Sequence, residues 1–335
     1  HRAGFQRVRD DWPVVVEVAR EAYEPGRFVP LLGFEWHSSR WGDYHIIFPG
    51  VEGEVFDGRT VEEVQAWVGR RGAIMIPHHL GYARGWRGAD WGSFDAALSP
   101  VVEVFSEHGC GMETEHPMAM LNHSMGGSER SQTVMERLKG GLVAGVTAST
   151  DNHGGHPGSY GQGLTGIWSP ELTREAVFEA IRRRHTFAVT GDRIALSLAV
   201  GDAMMGEVIP ASATPELCYS VDALGAIDSV RIIKNGRTVH QVGPLEEEAP
   251  AAGGFVVRVS FGWDGIGSKE ITDWQMRVAI DGGLRPDQAD GEVPVGVGGD
   301  PHPGPLHLQE LAQQVRSAAL ADAAEPDLPH RGDAV

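Results

Sequence analysis

Apolar positions divide this chain into a first part, where helical and extended segments alternate, and a second part of short extended segments. Asp11 before Trp12 and Pro13 reads as a helix start, and VVVEVAREAY carries apolar residues at helical spacing until Pro25-Gly26. FVPLLGFEWHS then reads as a strand, and HIIFPG as another beginning at His45 and ended by Pro49-Gly50. Thr60 and Glu63 form a capping box before the helix VEEVQAWVGRR, with Gly72 as its stop. GAIMIP and VVEVF predict two further strands, residues 131–139 a helix stopped by Gly140, and GLVAGVTAS the next strand. A short strand around LTGIW leads to a helix capped at Thr173 or Ser169, with Val177 and Ile181 on its buried face.

From Ile194 the texture changes to strands and turns, IALSLAVG, ELCYSVDA, SVRIIKNGRTVHQVG, FVVRVSFGW and DWQMRVAID. Asn235-Gly236 between two alternating runs predicts a tight hairpin. The organisation expected is an α/β domain over 1–193, a small antiparallel β-sandwich over 194–290, and a poorly ordered tail over 291–335, in which His302 and His307 receive no role. In the first domain the strand-helix alternation predicts a parallel sheet, whose carboxyl-terminal strand ends converge on one face.

Composition narrows the function classes. The 335 residues, 41% hydrophobic and 22% charged, provide a sizeable core. With 46 acidic against 28 basic residues the net charge is -18, which argues against a nucleic-acid groove. A small anionic substrate would therefore be held by metal or by a local arginine cluster, and Arg84 and Arg87, around Trp86 in a glycine-rich loop, are the candidates. Cys110 and Cys218 make no disulfide framework, and no apolar run is long enough for a transmembrane helix. The chain opens on His1 without a leader-like segment, so it reads as a fragment or processed end and leaves the compartment open.

The chemistry concentrates at predicted strand ends. Glu35 and His37 close the first strand, His45 opens the second, His78-His79 follow GAIMIP, and His108 follows VVEVF. Asp151 and His153 follow GLVAGVTAS, and residues i and i+2 of an extended segment point to one side. Taken singly, each has an ordinary explanation as a satisfied buried acid or a surface histidine. Together, imidazoles and carboxylates without thiolates suit Zn, Mn or Fe used as a Lewis acid, with enough ligands for two ions. Such a centre activates water for hydrolysis, most naturally of a phosphate ester. Asn152, His156 and Tyr160 stand beside these ligands in sequence, and His156 and Tyr160 are the candidates for proton transfer.

Six ordered blocks carry a resemblance: PGRFVPLLGFEWHS, GDYHIIF, IPHHLGYARGWRGADW, VVEVFSEHGC, STDNHGGHPGSYGQGLTGIW and EAIRRRHTFAVTGDRI. They resemble the PHP (polymerase and histidinol phosphatase) superfamily, specifically its branch called domain of unknown function 3604. The resemblance implies a distorted β/α barrel with two or three divalent metals and phosphoesterase-type hydrolysis. It assigns Glu35 to a bridging glutamate, His78 and His108 to histidine ligands, and Asp151 with His153 to a terminal Asp-x-His motif; His37, His45 and His79 match positions typical of the branch. The family's first His-x-His and Asp-His motifs have no counterpart here, so the chain reads as an N-terminally truncated, partial barrel whose activity belongs to the longer protein. Two alternatives stand beside this reading. One is an amidohydrolase-like enzyme cleaving C–N or C–O bonds; the other is a non-catalytic binding protein acting through the β-sandwich.

Overall fold

In the computed structural model the described residues are 2–114, 116, 118, 120, 127–153, 162–211 and 215–243. The first helix, α1 (Arg2–Glu21), starts nine residues before the expected boundary and runs through Pro13. Proline at this point removes one helical donor but keeps a helical φ, and the helix is held by its buried face instead. Trp12 and Ala19 are buried, Val16 packs beside them, and Trp12 Nε1 donates to the Gly53 carbonyl at 2.8 Å.

Strands β1 (Gly33–Trp36), β2 (Asp43–Ile47) and β3 (Ile74–His78) form one antiparallel sheet in the order β1-β2-β3. Helix α2 (Val61–Gly69) separates β2 from β3. Its cap is the expected one, Thr60 Oγ1 accepting from the Glu63 N–H, while the Glu63 carboxylate accepts from the Arg59 N–H at 2.8 Å. One face of this sheet, with Trp36, Tyr44, Ile46 and Met75, packs against Val61, Val64, Trp67 and Val68 of α2 and Trp12 of α1.

A second sheet contains β4 (Val101–Ser106), β5 (Gly109–Cys110) and β6 (Gly145–Ala148), with β4 parallel to β6 and a register shift between Glu103 and Phe105. Helix α3 (Val134–Lys139) precedes β6. Strands β7 (Leu164–Ile167) and β8 (Thr186–Val189) pair antiparallel around α4 (Arg174–Arg182), whose cap is Thr173. As expected, Val177 and Ile181 are buried; with Phe178 they join Ile74 and Ile76 of β3 and Val101 of β4 in one apolar cluster. Thr165 Oγ1 donates to the Ala148 carbonyl and Thr186 Oγ1 to the Val146 carbonyl, tying β7 and β8 to β6.

The expectation of a parallel barrel is corrected at the level of pairing. Among the described residues only β4 and β6 are parallel, and none of the sheets closes into a barrel. The link between β1 and β2 holds too few residues for a crossover, so β2 must run back along β1.

The second part contains β9 (Ile194–Val200), β10 (Ala203–Met204) and β11 (Leu217–Ala223) as one antiparallel sheet, and β12 (Val230–Lys234) with β13 (Arg237–Val242) as a hairpin. Asn235 and Gly236 both adopt positive φ, 53° and 73°, as the Asn-Gly turn predicts. Among the described residues after Ile194 no side chain reaches the buried class. The expected strands FVVRVSFGW and DWQMRVAID, and the tail, lie outside the described residues.

Candidate metal centre

The antiparallel register places four ligand-type residues on one face. Glu35 stands opposite His45 and Asp43 opposite His78, and Asp43 and His45 are two residues apart on β2. Directly paired residues share a face, as do residues i and i+2. The opposite face is the apolar one packed on α1 and α2, so these polar side chains turn inward toward β4 and β6. Because β2 runs against its neighbours, its amino-terminal end meets the carboxyl-terminal ends of β1 and β3.

Two left-handed residues complete the cluster. His79 (φ 55°) and Asp151 (φ 49°) follow β3 and β6, a conformation uncommon for non-glycine residues. At His79 this turn brings two consecutive rings together: the His78 and His79 centroids are 3.6 Å apart, His79 and His108 4.4 Å, and His45 and His78 4.3 Å.

His78, with no exposed surface, is the hub. Its Nδ1 lies 2.6 Å from Glu103 Oε1, and the other oxygen of Glu103 accepts from Ser149 Oγ at 2.6 Å. That leaves His78 Nε2 facing Asp151 Oδ2 at 3.3 Å, and His108 Nε2 faces the same oxygen at 3.3 Å. Tyr82 Oη lies 3.2 Å from His108 Nδ1. Glu35 Oε1, His78 Nε2, His79 Nδ1 and Asp151 Oδ2 are all buried and make no well-formed hydrogen bond, although His37 Nδ1 stands 3.3 Å from Glu35 Oε1 and two ring nitrogens stand 3.3 Å from Asp151 Oδ2. Leaving such atoms unsatisfied costs about 1–3 kcal/mol each, which a bound cation would offset. Ligand atoms come within 4.8 Å of one another in the groups Glu35-His45-His78, His78-His79-Asp151, Glu35-Asp43-His79 and Glu107-His108-Asp151. This donor set of imidazole and carboxylate fits a borderline or hard divalent ion.

Proton affinities differ sharply inside the cluster. Burial lowers the pKa of His78, but the Glu103 and Asp151 carboxylates outweigh it and leave it well above the ordinary value. Burial, then the neighbouring His78 and His108, push His79 far down, and burial with His78 also lowers His45. Burial opposes ionisation of Glu103 and Asp151, yet both end below the usual carboxylate range: Glu103 through His78, Asp151 through bonds from His108 and His78. These directions favour ionised carboxylates at Glu103 and Asp151 and neutral rings at His45 and His79.

Residues 144–222 match the family described as protein of unknown function, DUF3604. Curated relatives are uncharacterized proteins of Chlamydia: one from Chlamydia pneumoniae, 26% identical over 261 residues, covers 70% of this chain and 41% of the relative. One from Chlamydia muridarum, 28% identical over 174 residues, covers 47% of this chain and 28% of the relative. The chain therefore spans well under half the length of these relatives. No solved structure matches it. Family match and relatives together support DUF3604.

The DUF3604 match includes β6 and Asp151, while Glu35 to His108 lie before it. Of the residues singled out from sequence, the structure brings together Glu35, His45, His78, His79, His108 and Asp151. His37 sits at the rim, its Nδ1 3.3 Å from Glu35 Oε1 and 2.9 Å from Arg87 Nη2. His153 does not join: its side chain is 74% exposed and its Nδ1 lies 2.7 Å from Glu107 Oε1. The positive φ at Asp151 breaks the extended geometry on which the shared side of Asp151 and His153 depended. Arg84 is paired with Asp90 at 3.1 Å and is 62% exposed, whereas Arg87 enters the cluster through Asp43. His156 and Tyr160 lie outside the described residues.

Sequence reasoning missed Asp43, Glu103, Glu107 and Tyr82. Glu103 had a signal, a single charge inside the apolar run VVEVF, which a fully buried strand tolerates only when the charge is paired. Asp43 had none beyond proximity to His45, because its place depends on the reversal of β2.

Proposed function

We propose that this chain carries the metal centre of a DUF3604 hydrolase of the PHP type, acting on a small phosphate ester. The observation that carries the reading is the convergence of four buried ligand-type atoms that make no well-formed hydrogen bond, from Glu35, His78, His79 and Asp151, with His108 beside them. His78, His79, His108 and Asp151 would hold one divalent ion, Glu35 and His45 reach its neighbourhood, and the partial sheets would belong to the superfamily's distorted barrel. A divalent ion at such a site supplies Lewis-acid polarisation of an ester oxygen and activation of water.

The chain's own residues do the rest. Glu103 fixes the His78 ring by accepting at Nδ1, which commits Nε2 to the centre, and Ser149 fixes Glu103 in turn. Tyr82 orients His108 in the same manner. His79, kept neutral by burial and by its imidazole neighbours, presents a lone pair rather than a charge. Arg84, exposed and paired with Asp90, is a side chain that an anionic substrate could draw away.

The test is a panel of phosphomonoesters, phosphodiesters, amides and lactones with Mn or Zn added, on this chain and on its Asp151→Asn variant. Cleavage of phosphoesters that disappears in Asp151→Asn is expected. Cleavage of amides or lactones alone would move the protein to amidohydrolase-type chemistry, and turnover of no class by the metal-loaded wild type would contradict hydrolysis.

A further inference from the structure

One of the ligand groups already contains a cation. Glu35, Asp43 and His79 bring ligand atoms within 4.8 Å of one another, and Arg87 enters the same group. Its Nε lies 2.6 Å from Asp43 Oδ2, the oxygen that also faces His79 Nε2 at 3.7 Å. Its Nη2 lies 3.9 Å from Glu35 Oε1 and 2.9 Å from His37 Nδ1. The remaining Asp43 oxygen accepts from the Ser38 N–H at 2.9 Å, so this buried carboxylate is fully committed.

We propose that the Arg87 guanidinium is the resident cation of the Glu35-Asp43-His79 group, and that no metal ion enters this group while Arg87 is seated there. Metal binding is thereby confined to the side of the centre formed by His78, His108 and Asp151. The inference rests on the metal-centre reading above and adds a limit on how many ions the centre takes.

Three physical arguments support it. An ion ligated by Asp43 Oδ2 would sit about 2.0–2.2 Å from an oxygen already bonded to a guanidinium, and two positive charges so close in a buried site repel strongly. Arginine stays charged at every accessible pH, so the group keeps its positive charge while Arg87 is seated there. The loop is also shaped to deliver this side chain. Arg87 itself has φ 72°, in the left-handed region. The turn is closed by the Trp86 and Gly88 N–H groups donating to the Ala83 carbonyl at 3.0 and 3.2 Å, and by the Asp90 N–H donating to the Trp41 carbonyl at 2.9 Å. Gly88 cannot carry a Cβ, because the Tyr82 carbonyl occupies its place. A non-glycine residue held in this conformation points to a seat determined by its surroundings. Arg84, in the same loop, is bound to Asp90 instead.

The experiment counts bound ions. Wild type, Arg87→Met, Arg87→Gln and Arg87→Lys are loaded with Mn, dialysed, and assayed for metal per chain by mass spectrometry, with thermal melts as a folding control. Both neutral variants are expected to hold one further ion per chain than wild type, and Arg87→Lys to keep the wild-type ratio. Equal ratios in wild type and the neutral variants would overturn the proposal and leave the metal centre standing. Anomalous density from Mn in wild-type crystals gives a second readout that needs no variant. Density at the Glu35-Asp43-His79 group with Arg87 still on Asp43 overturns the proposal, and density only on the His78 side upholds it. Absence of bound metal from wild type and every variant would overturn the metal centre itself, and this inference with it.

Discussion

Replacing Glu103 by alanine removes a buried carboxylate that has partners at both of its oxygens. Glu103 is 4% exposed, contacts His78 Nδ1 at 2.6 Å, accepts from Ser149 Oγ at 2.6 Å and lies 3.6 Å from His45 Nδ1. Its removal leaves His78 buried beside Asp151 without its principal counter-charge and leaves the Ser149 hydroxyl without an acceptor. Breaking a buried pair by deleting one partner costs about 3–5 kcal/mol. For a unit of this size each kcal/mol moves the melting temperature by about 2–4 °C, so the melt should fall by roughly 6–20 °C. Glu103→Gln keeps the shape and an acceptor for His78 and should lose about half as much. Both are measured by chemical denaturation with a chelator present, so that lost metal affinity does not enter the value. A loss below about 1 kcal/mol for Glu103→Ala would show that the His78-Glu103 pair is not held in the folded protein, and the orientation argument for His78 would fall with it.

Two neighbouring histidines should give pH dependences of opposite sign in chelated protein. His79 has a folded pKa below its unfolded value, so below about pH 6.5 the unfolded chain binds a proton that the fold refuses. The stability of wild type relative to His79→Asn should therefore fall as pH drops from about 6.5 to 5, by up to about 1.4 kcal/mol per pH unit. His78 has a raised folded pKa, so its contribution is fully present below about pH 6.5 and is lost as pH rises through the folded value. Denaturation midpoints of the two Asn variants against wild type from pH 5 to 8 check both signs, and parallel trends would refute the assignment. Phe178→Ala should cost about 3–5 kcal/mol, because this buried ring joins α4 to β3 and β4; a loss under 1 kcal/mol would mean that α4 does not hold those strands together.

How much of this was legible in the sequence follows from what each signal depends on. Local signals carried well: the Thr60 and Thr173 caps, the buried stripe of α4 and the Asn235-Gly236 hairpin are each fixed by a few adjacent residues. Histidines at the ends of strands marked most of the cluster for the same reason. Strand direction was not local. Alternating helices and strands suggested parallel pairing, yet the short link after β1 reverses β2, and that reversal brings Asp43 and His45 into the cluster. His153 stands apart from Asp151 because a single left-handed residue, Asp151, removes the two-residue periodicity that an extended chain would keep. Glu103 lay within reach of a stricter reading, since an unpaired charge in VVEVF has no place in a buried strand.

The most direct test is the metal content of the purified chain after loading with Mn or Zn and dialysis, measured beside Asp151→Asn and His153→Ala. At least one tightly held ion per chain is expected in wild type. Asp151→Asn should lose it, because Asp151 Oδ2 faces both His78 and His108. His153→Ala should keep it, because that ring is exposed and paired with Glu107. An ion content at background in wild type, or undiminished in Asp151→Asn, would contradict a metal centre at this cluster.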